Sequence, residues 1–460
     1  MNAFFVGIGG MGMSGLAKIL HNSGFEVAGS DRNLDGEYCQ RLIKMGVRIY
    51  SQDGEGPRKF MKEANLSAGD FKIVKSTAVE DHVPDIVTAR ELGLEQIMRS
   101  DLLAMMFNEK SGLAIGGTAG KTTTTGLVAW ILKYGGKEPS CAVGGIIAGL
   151  DTNAFKGNGP NFIIEADESD GSIIKYRPWA SVVTNISRDH KTLEELQNLF
   201  ATFLNNTEKE GLRLVCGEDE SARQLLNSCP HPVETYGFNS DCDHKAHEVK
   251  IDENSSSFTF EGINFTMKLP GEHNVLNALA AIIVSRHAGV ALEDIAEALK
   301  AFPGMKRRFE KVGTTAGVTV IDDFAHNPVE IEAAIKTARK SSSRRFIVYQ
   351  PHGYGPTSFT RDQLVDVFSN LEENEFLFLD EIFYGGGTVN RNISSEEIVR
   401  AVKQRFSNAW YMADREQLVE KISSEVRSGD MVLVMGARDI NSICQKILDR
   451  IWQVKNQQIA

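Results

Sequence analysis

Leu113-Ala114-Ile115-Gly116-Gly117-Thr118-Ala119-Gly120-Lys121-Thr122-Thr123-Thr124-Thr125 joins an apolar strand to a glycine turn, a lysine and a threonine-rich helix that continues through Leu132. Strand, glycine turn and helix start in that order make a phosphate cradle. Backbone N–H groups from Gly117, Thr118, Gly120 and the first helical residues, Thr123 included, would wrap phosphate oxygens. Lys121 would reach the β and γ oxygens, and the Thr122 hydroxyl would ligate Mg²⁺. The long G-x-x-x-x-G-K-[ST] form is not met, because Ile115 stands where its first glycine belongs; the loop is the shorter G-T-x-G-K-T-T form.

Two strands downstream belong to the same sheet. Phe162–Glu165 ends in a burst of acids, Glu165, Asp167, Glu168 and Asp170, and Ala180–Thr184 ends in Asn185-Ile186-Ser187-Arg188-Asp189-His190. In an open parallel sheet, ligands gather at the carboxyl ends of strands. One carboxylate and one imidazole beside a triphosphate would complete a Mg²⁺ site, since Mg²⁺ keeps waters and needs few protein ligands.

Upstream, Ala3–Val6 runs into Gly7-Ile8-Gly9-Gly10-Met11-Gly12, a helix over Met13–Leu20, a strand over Glu26–Gly29 and an acid at Asp31. That is a nucleotide-diphosphate fingerprint in its proper strand–turn–helix setting. The glycines do not decide which nucleotide it holds. Val74–Ala78 reads as a later strand of this sheet running into a loop. Downstream, the alternation in Glu248–Asp252, Ser256–Phe260 and Ile263–Met267 makes residues 205–270 a run of antiparallel strands. A long apolar helix starts at Gly271, with Asn274 and Asn277 on one face, either as helix-start polar residues or as nucleobase contacts.

A third block follows the basic hinge Lys306-Arg307-Arg308. Strands at Val318–Ile321, Arg345–Tyr349, Phe376–Leu379 and Met431–Met435 alternate with helices such as Val329–Arg339, which gives a second open α/β sheet. His326 and His352 each lie in a loop after a strand. An arginine in the hinge is well placed for a γ-phosphate.

Composition agrees with a large enzyme. The chain has 460 residues, enough for about three domains, and its 50 basic against 61 acidic side chains leave a net charge of −11. That balance argues against nucleic acid or an anionic membrane as partner. No run approaches a membrane span, and the N-terminus lacks the basic start of a signal peptide. Six scattered cysteines without a C-x-x-C pair read as free thiols in a reducing, cytoplasmic compartment, and Cys242, His244 and His247 lack the partner pair of a metal site.

Taken together, GIGGMGMSGLA, GTAGKTTTT, EADESD, TNISRDH, GEHNVLNALAA, RRFE and DDFAHNP resemble the Mur ligases of peptidoglycan synthesis, in order and over the whole chain. The resemblance implies an α/β protein of three domains: a Rossmann-like UDP-binding domain (1–103), a central P-loop ATPase-type domain (104–304) and a C-terminal Rossmann-like domain (305–460). It implies ATP-dependent amide formation through an acyl phosphate, with ADP and phosphate released and Mg²⁺ as cofactor. UDP-N-acetylmuramate and an amino acid or short peptide would be the substrates, handled by a monomer or weak homodimer.

Carried over by residue, Lys121, Glu165, His190 and Arg308 would be catalytic, and Thr122, Glu165 and His190 would be metal ligands. Asn274, Arg308 and Asp323 would contact ATP. Gly9, Gly10, Met11, Gly12, Asp31 and Ser76 would hold the nucleotide sugar, and His326 and His352 would face the amino acid. The N-terminal and central motifs resemble the branch that adds L-alanine, whereas DDFAHNP is more like the branch that adds a recycled tripeptide, L-Ala-γ-D-Glu-meso-diaminopimelate. The branch pattern also departs here in three places. Ala119 replaces a histidine, Lys191-Thr192 follows the Asp189-His190 pair, and Gly353 and Pro356 stand in place of two arginines expected near the amino acid's carboxylate. Counting from His190 to where several other Mur ligases carry a carbamylated lysine lands near Asn205, which agrees with the branch that adds L-alanine lacking that lysine.

Overall fold

The computed structural model describes residues 1–188, 191–384 and 391–457. The apolar runs read from the sequence become strands buried on both faces, which is why they are continuous rather than alternating. Phe4, Phe5 and Val6 have no exposed surface. Their strand, Asn2–Val6, is the centre of a five-stranded parallel sheet in the order Arg48–Ser51, Val27–Asp31, Asn2–Val6, Phe71–Lys75, Gln96–Met98. The helix Met11–Asn22 covers it with Met13, Leu16, Ala17, Ile19 and Leu20. The strand expected to run into a loop within Val74–Ala78 is Phe71–Lys75, so Ser76 lies in the loop beyond it.

The second sheet has eight strands, with Ser111–Gly116 between Ala180–Val183 and Asn161–Glu165. Outside these lie Leu212–Cys216, Glu234–Gly237 and His244–Lys245 on one side and Ser140–Ile147 and Thr152–Phe155 on the other. All neighbours are parallel except the last pair, a hairpin with Cys141 opposite Phe155. The helix Lys121–Tyr134 buries Leu127, Val128, Ala129, Ile131 and Leu132.

This corrects the expectation for residues 205–270. Only His247–Ile251, Ser256–Phe260 and Ile263–Met267 form antiparallel partners, while the segments before them extend the parallel sheet. The reason is Arg213. It interrupts an otherwise apolar run and hides a strand buried at every residue. Its guanidinium is inside, donating to the carbonyls of Leu204, Thr207, Glu208, Lys209 and Gly211 at 2.7–3.5 Å.

The third sheet runs Glu310–Thr315, Val318–Asp323, Met431–Met435, Arg345–Tyr349, Glu375–Leu379, Ala409–Tyr411, parallel except for its first pair. Alternate side chains enter two cores: Ile347 and Tyr349 on one face, Phe346 and Val348 on the other. By compactness the chain falls into two units. One is Met1–Asn185, Leu196–Lys245 and Asn277–Leu299; the other is Ile186–Glu195, Ala246–Leu276 and Lys300–Ala460.

Arg213→Leu leaves those carbonyls buried without donors, so the variant should lose about 3 kcal/mol or more, read as a lowered thermal midpoint. Arg213→Lys, which keeps the charge but not the fork, should recover less than half of that loss.

Candidate active site

The phosphate loop is held open by its neighbours in the sheet. Gly117 sits at φ 127°, and a Cβ there would come 2.0 Å from Thr184 Oγ1. Thr184 Oγ1 donates to Ala119 O at 2.6 Å. Asn185 grips the same residue twice, accepting from Ala119 N and donating to Ala119 O at 2.9 Å each. From the other side Asn277 meets the loop, accepting from Thr124 Oγ1 at 3.2 Å. No side chain caps the helix that starts at Lys121, so its first amides face the loop's concavity without an intrahelical partner.

Inside the loop, Lys121 Nζ donates to Gly117 O at 2.6 Å and Thr118 O at 3.1 Å, and pairs with both oxygens of Glu168 at 3.0 and 3.1 Å. Burial works against the ammonium, but Glu168, Glu165 and Asp167 outweigh it and hold the lysine above its ordinary pKa. Glu168 is the partner that suffers: burial pushes its carboxyl up to about 7 despite the lysine. Beside this pair, Thr122 Oγ1 donates to Glu165 Oε1 at 3.0 Å, and Glu165 Oε2 accepts from Gly144 N at 2.8 Å. His190, the third expected metal ligand, lies outside the described residues.

The first glycine turn lies in the same compact unit. Gly9 N donates to Asp31 Oδ2 at 2.8 Å and Asn33 N to Asp31 Oδ1 at 2.9 Å, so this acid shapes the turn. The helix after it, N-capped by Gly10 without a side-chain partner, packs on the Thr152–Phe155 strand through Asn153 Nδ2, which donates to Met11 O at 3.1 Å. A cavity of about 130 Å³ opens between the two sheets. Met11, Gly12 and Arg99 line one side of it, and Gly144, Glu165 and Asp167 the other.

In the second unit, Asp323 accepts from Phe309 N and Ala325 N at 2.7 Å each, and burial raises its pKa to about 6. Arg308 lies 3.6 Å from Glu330 and over the Phe324 ring at 4.9 Å. His326 Nδ1 is 3.2 Å from Glu330 Oε2, and its ring stands edge-on to that of His352 with centroids 5.8 Å apart. The two expected acceptor-facing histidines therefore meet. Asn274, by contrast, donates to Pro270 O at 2.8 Å at the start of its own helix.

Three families match the chain in succession: the Mur ligase family catalytic domain over residues 3–111, the Mur ligase middle domain over 115–285 and the Mur ligase glutamate ligase domain over 307–438. The chain is 35% identical over 457 residues to the UDP-N-acetylmuramate–L-alanine ligase of Carboxydothermus hydrogenoformans, covering 97% of this chain and 96% of that one. The chain belongs to the Mur ligase family. A second relative of the same description, from Nitratidesulfovibrio vulgaris, is 37% identical over 452 residues, covering 96% and 97% of the two chains. Among solved structures, the UDP-N-acetylmuramate–alanine ligase of Thermotoga maritima aligns with a TM-score of 0.78 at 27% identity over 99% of this chain and 100% of that one. A murein peptide ligase from Psychrobacter arcticus shares the fold at a TM-score of 0.71 and 22% identity, over 98% and 99% of the two chains.

For a Mur ligase the surprises lie around the expected residues. Glu168, Thr184, Asn185 and Asn277 shape the phosphate loop; the sequence marks Glu168 and Asn185 only as members of strand-end motifs and Asn277 only beside Asn274, and it gives site roles to Glu165 and Asn274. The one available signal was position, since Glu168 and Asn185 each sit just past a strand end. In the hinge, Arg307 is the structural arginine. It pairs with Asp322 at 3.2 Å and donates to the carbonyls of Gly436 and Arg438.

Glu168 has a folded pKa near 7 against 4.5 unfolded, so the folded ligand-free protein binds that proton more tightly. Its stability contribution is complete below pH 4.5 and is lost as the pH rises through about 7. Thermal midpoints measured across that window should fall with rising pH, and Glu168→Gln should flatten this part of the curve.

Proposed function

We propose that this Mur ligase joins L-alanine to UDP-N-acetylmuramate at the expense of ATP, releasing ADP and phosphate. The observation that carries the reading is the cavity between the first two sheets. It connects the glycine-capped helix, suited to a diphosphate, with the Thr122–Glu165 pair beside the phosphate loop. A sugar nucleotide anchored on Gly9, Gly10, Met11 and Gly12, with Asp31 and Ser76 at the rim, would extend its carboxylate past Arg99 toward a triphosphate held on Gly117–Thr123. Relatives of 35–37% identity described as alanine ligases favour L-alanine over the tripeptide as acceptor. The proposed division into domains is 1–103, 104–304 and 305–460.

The site also fits Mg²⁺. Two oxygens of one octahedral Mg²⁺ shell lie roughly 2.9 Å apart when each sits about 2.05 Å from the metal. Thr122 Oγ1 and Glu165 Oε1 are already 3.0 Å apart. They would hold the ion together with His190, and bound Mg²⁺ would neutralise charge on the phosphate oxygens.

The chain's own groups supply the rest. A carboxylate is inert toward an amine at neutral pH and must first gain a leaving group. The loop amides and the Lys121 ammonium would hold the γ-phosphoryl in line with the sugar's carboxylate and offset the charge gathering between two anions. Lys121 must exchange its carbonyl and Glu168 contacts for phosphate oxygens, and the raised pKa of Glu168 eases that exchange, because the carboxyl tolerates neutrality. Asn274, Arg308 and Asp323 would contact ATP, with Asp323 acting largely through the two amides it fixes. His326 and His352 would face the amine. ATP and a nucleotide sugar are cytosolic solutes, which places the reaction in the cytoplasm. Among the described residues no helix is long and apolar enough to cross a membrane.

Phosphate release with UDP-N-acetylmuramate should be fastest with L-alanine in a panel that includes L-serine, glycine and the recycling tripeptide. Preference for the tripeptide, or no release with any acceptor, would refute the reading. Lys121→Ala should lower turnover by roughly 10²–10³-fold or more with the fold intact. Gly117→Ala, which drives a methyl group into Thr184, should do the same through the loop's geometry.

A further inference from the structure

In the third sheet, three adjacent parallel strands, Val318–Asp323, Met431–Met435 and Arg345–Tyr349, end side by side, and the partners of the arginines around those ends can be traced one by one. Arg307 pairs with Asp322, and Arg308 with Glu330. Arg415 pairs with Asp380 and Asp439 at 2.8 Å each. Arg438 differs. Its Nε donates to His352 Nδ1 at 3.3 Å and its guanidinium lies 5.5 Å over the Phe383 ring, but no carboxylate among the described residues pairs with it. Asp439, next to it in the chain, is engaged by Arg415 and Gln350, and Glu330 by Arg308 and His326.

The hydrogen bond to His352 has a chemical consequence. Arginine only donates, so Nδ1 of His352 carries no proton and the imidazole is neutral, with its hydrogen on Nε2. Donation through Nε also uses one side of the guanidinium and leaves the Nη1/Nη2 edge, which matches a planar two-oxygen group. One guanidinium beside a neutral imidazole supplies a single positive charge. A carboxylate balances that charge; a phosphate exceeds it, and the cradle at Lys121 is already built for phosphate. The Gln350–Pro356 segment has no lysine or arginine of its own, so the cation in this group comes from the loop after Met435.

We propose that Arg438 receives the α-carboxylate of the incoming amino acid, with His352 fixing the guanidinium and Phe383 forming its floor. This rests on the amide-ligase reading above and adds the group that selects an acceptor bearing a free carboxylate. The acceptor's amine would then be set at a fixed distance from Arg438, among the loops that carry His326 and His352.

The test is steady-state kinetics on the full chain with L-alanine and with L-alaninamide, which has the amine but no carboxylate. Arg438→Ala should raise the KM for L-alanine roughly 10- to 100-fold and leave the KM for ATP within about twofold. Arg438→Lys should fall between. The wild type should prefer L-alanine to its amide at least about tenfold, and Arg438→Ala should lose that preference. An unchanged alanine KM, or a preference that survives the substitution, would overturn the proposal. So would a raised ATP KM with the alanine KM unmoved, which would make Arg438 a phosphate contact. A wild type active with no acceptor at all would instead overturn the ligase reading on which the proposal stands. Arg438 is exposed, and equal thermal midpoints would confirm that the variants fold.

Discussion

The ammonium of Lys121, taken out of water at the end of the central sheet, constrains everything around it. A charge so placed costs several kcal/mol unless polar partners replace its hydration. Here they are Gly117 O, Thr118 O and Glu168. Turning two successive carbonyls inward demands a backbone that a side chain at Gly117 would forbid, and that turn is held by Thr184 and Asn185 from the next strand. The strand order of the sheet is thus part of the phosphate site. Without Ala180–Val183 beside Ser111–Gly116 the loop has no brace, and without Asn161–Glu165 on the other side the lysine has no carboxylate.

The first and third sheets solve a related problem with the opposite charge. Asp31 and Asp323 each end a strand, and each accepts one backbone amide from the loop that follows it and one from a separate segment, Gly9 and Phe309. Read from sequence, both acids are ligand contacts. In the folded chain their first duty is to fix the backbone from which contacts are made. An acid at a strand end can do either, and the two differ only in which N–H groups the tertiary fold brings within reach.

Where the sequence was read correctly, the signal was local. Arg345–Tyr349, Met431–Met435, Ser256–Phe260 and Ile263–Met267 have the bounds that hydrophobic patterning assigns them. Where the reading failed, a single residue or a glycine pair had disguised the pattern. Arg213 made a fully buried strand look like part of an antiparallel run, and the hairpin Ser140–Ile147 with Thr152–Phe155 went unread because Gly144 and Gly145 break its alternation.

By itself the sequence determined the succession of strand, glycine turn and helix, and with it the phosphate loop and the α/β class. These rest on backbone dihedrals and hydrophobic period, properties of residues next to one another in the chain. Only the tertiary structure decided which groups complete the sites: Glu168 on Lys121, Asn277 on a threonine 153 residues away, and Arg438 on a histidine 86 residues away. The reason is geometric. Parallel sheets order their strands differently from the chain, so the loops that meet at a carboxyl edge come from segments that no sequence spacing relates.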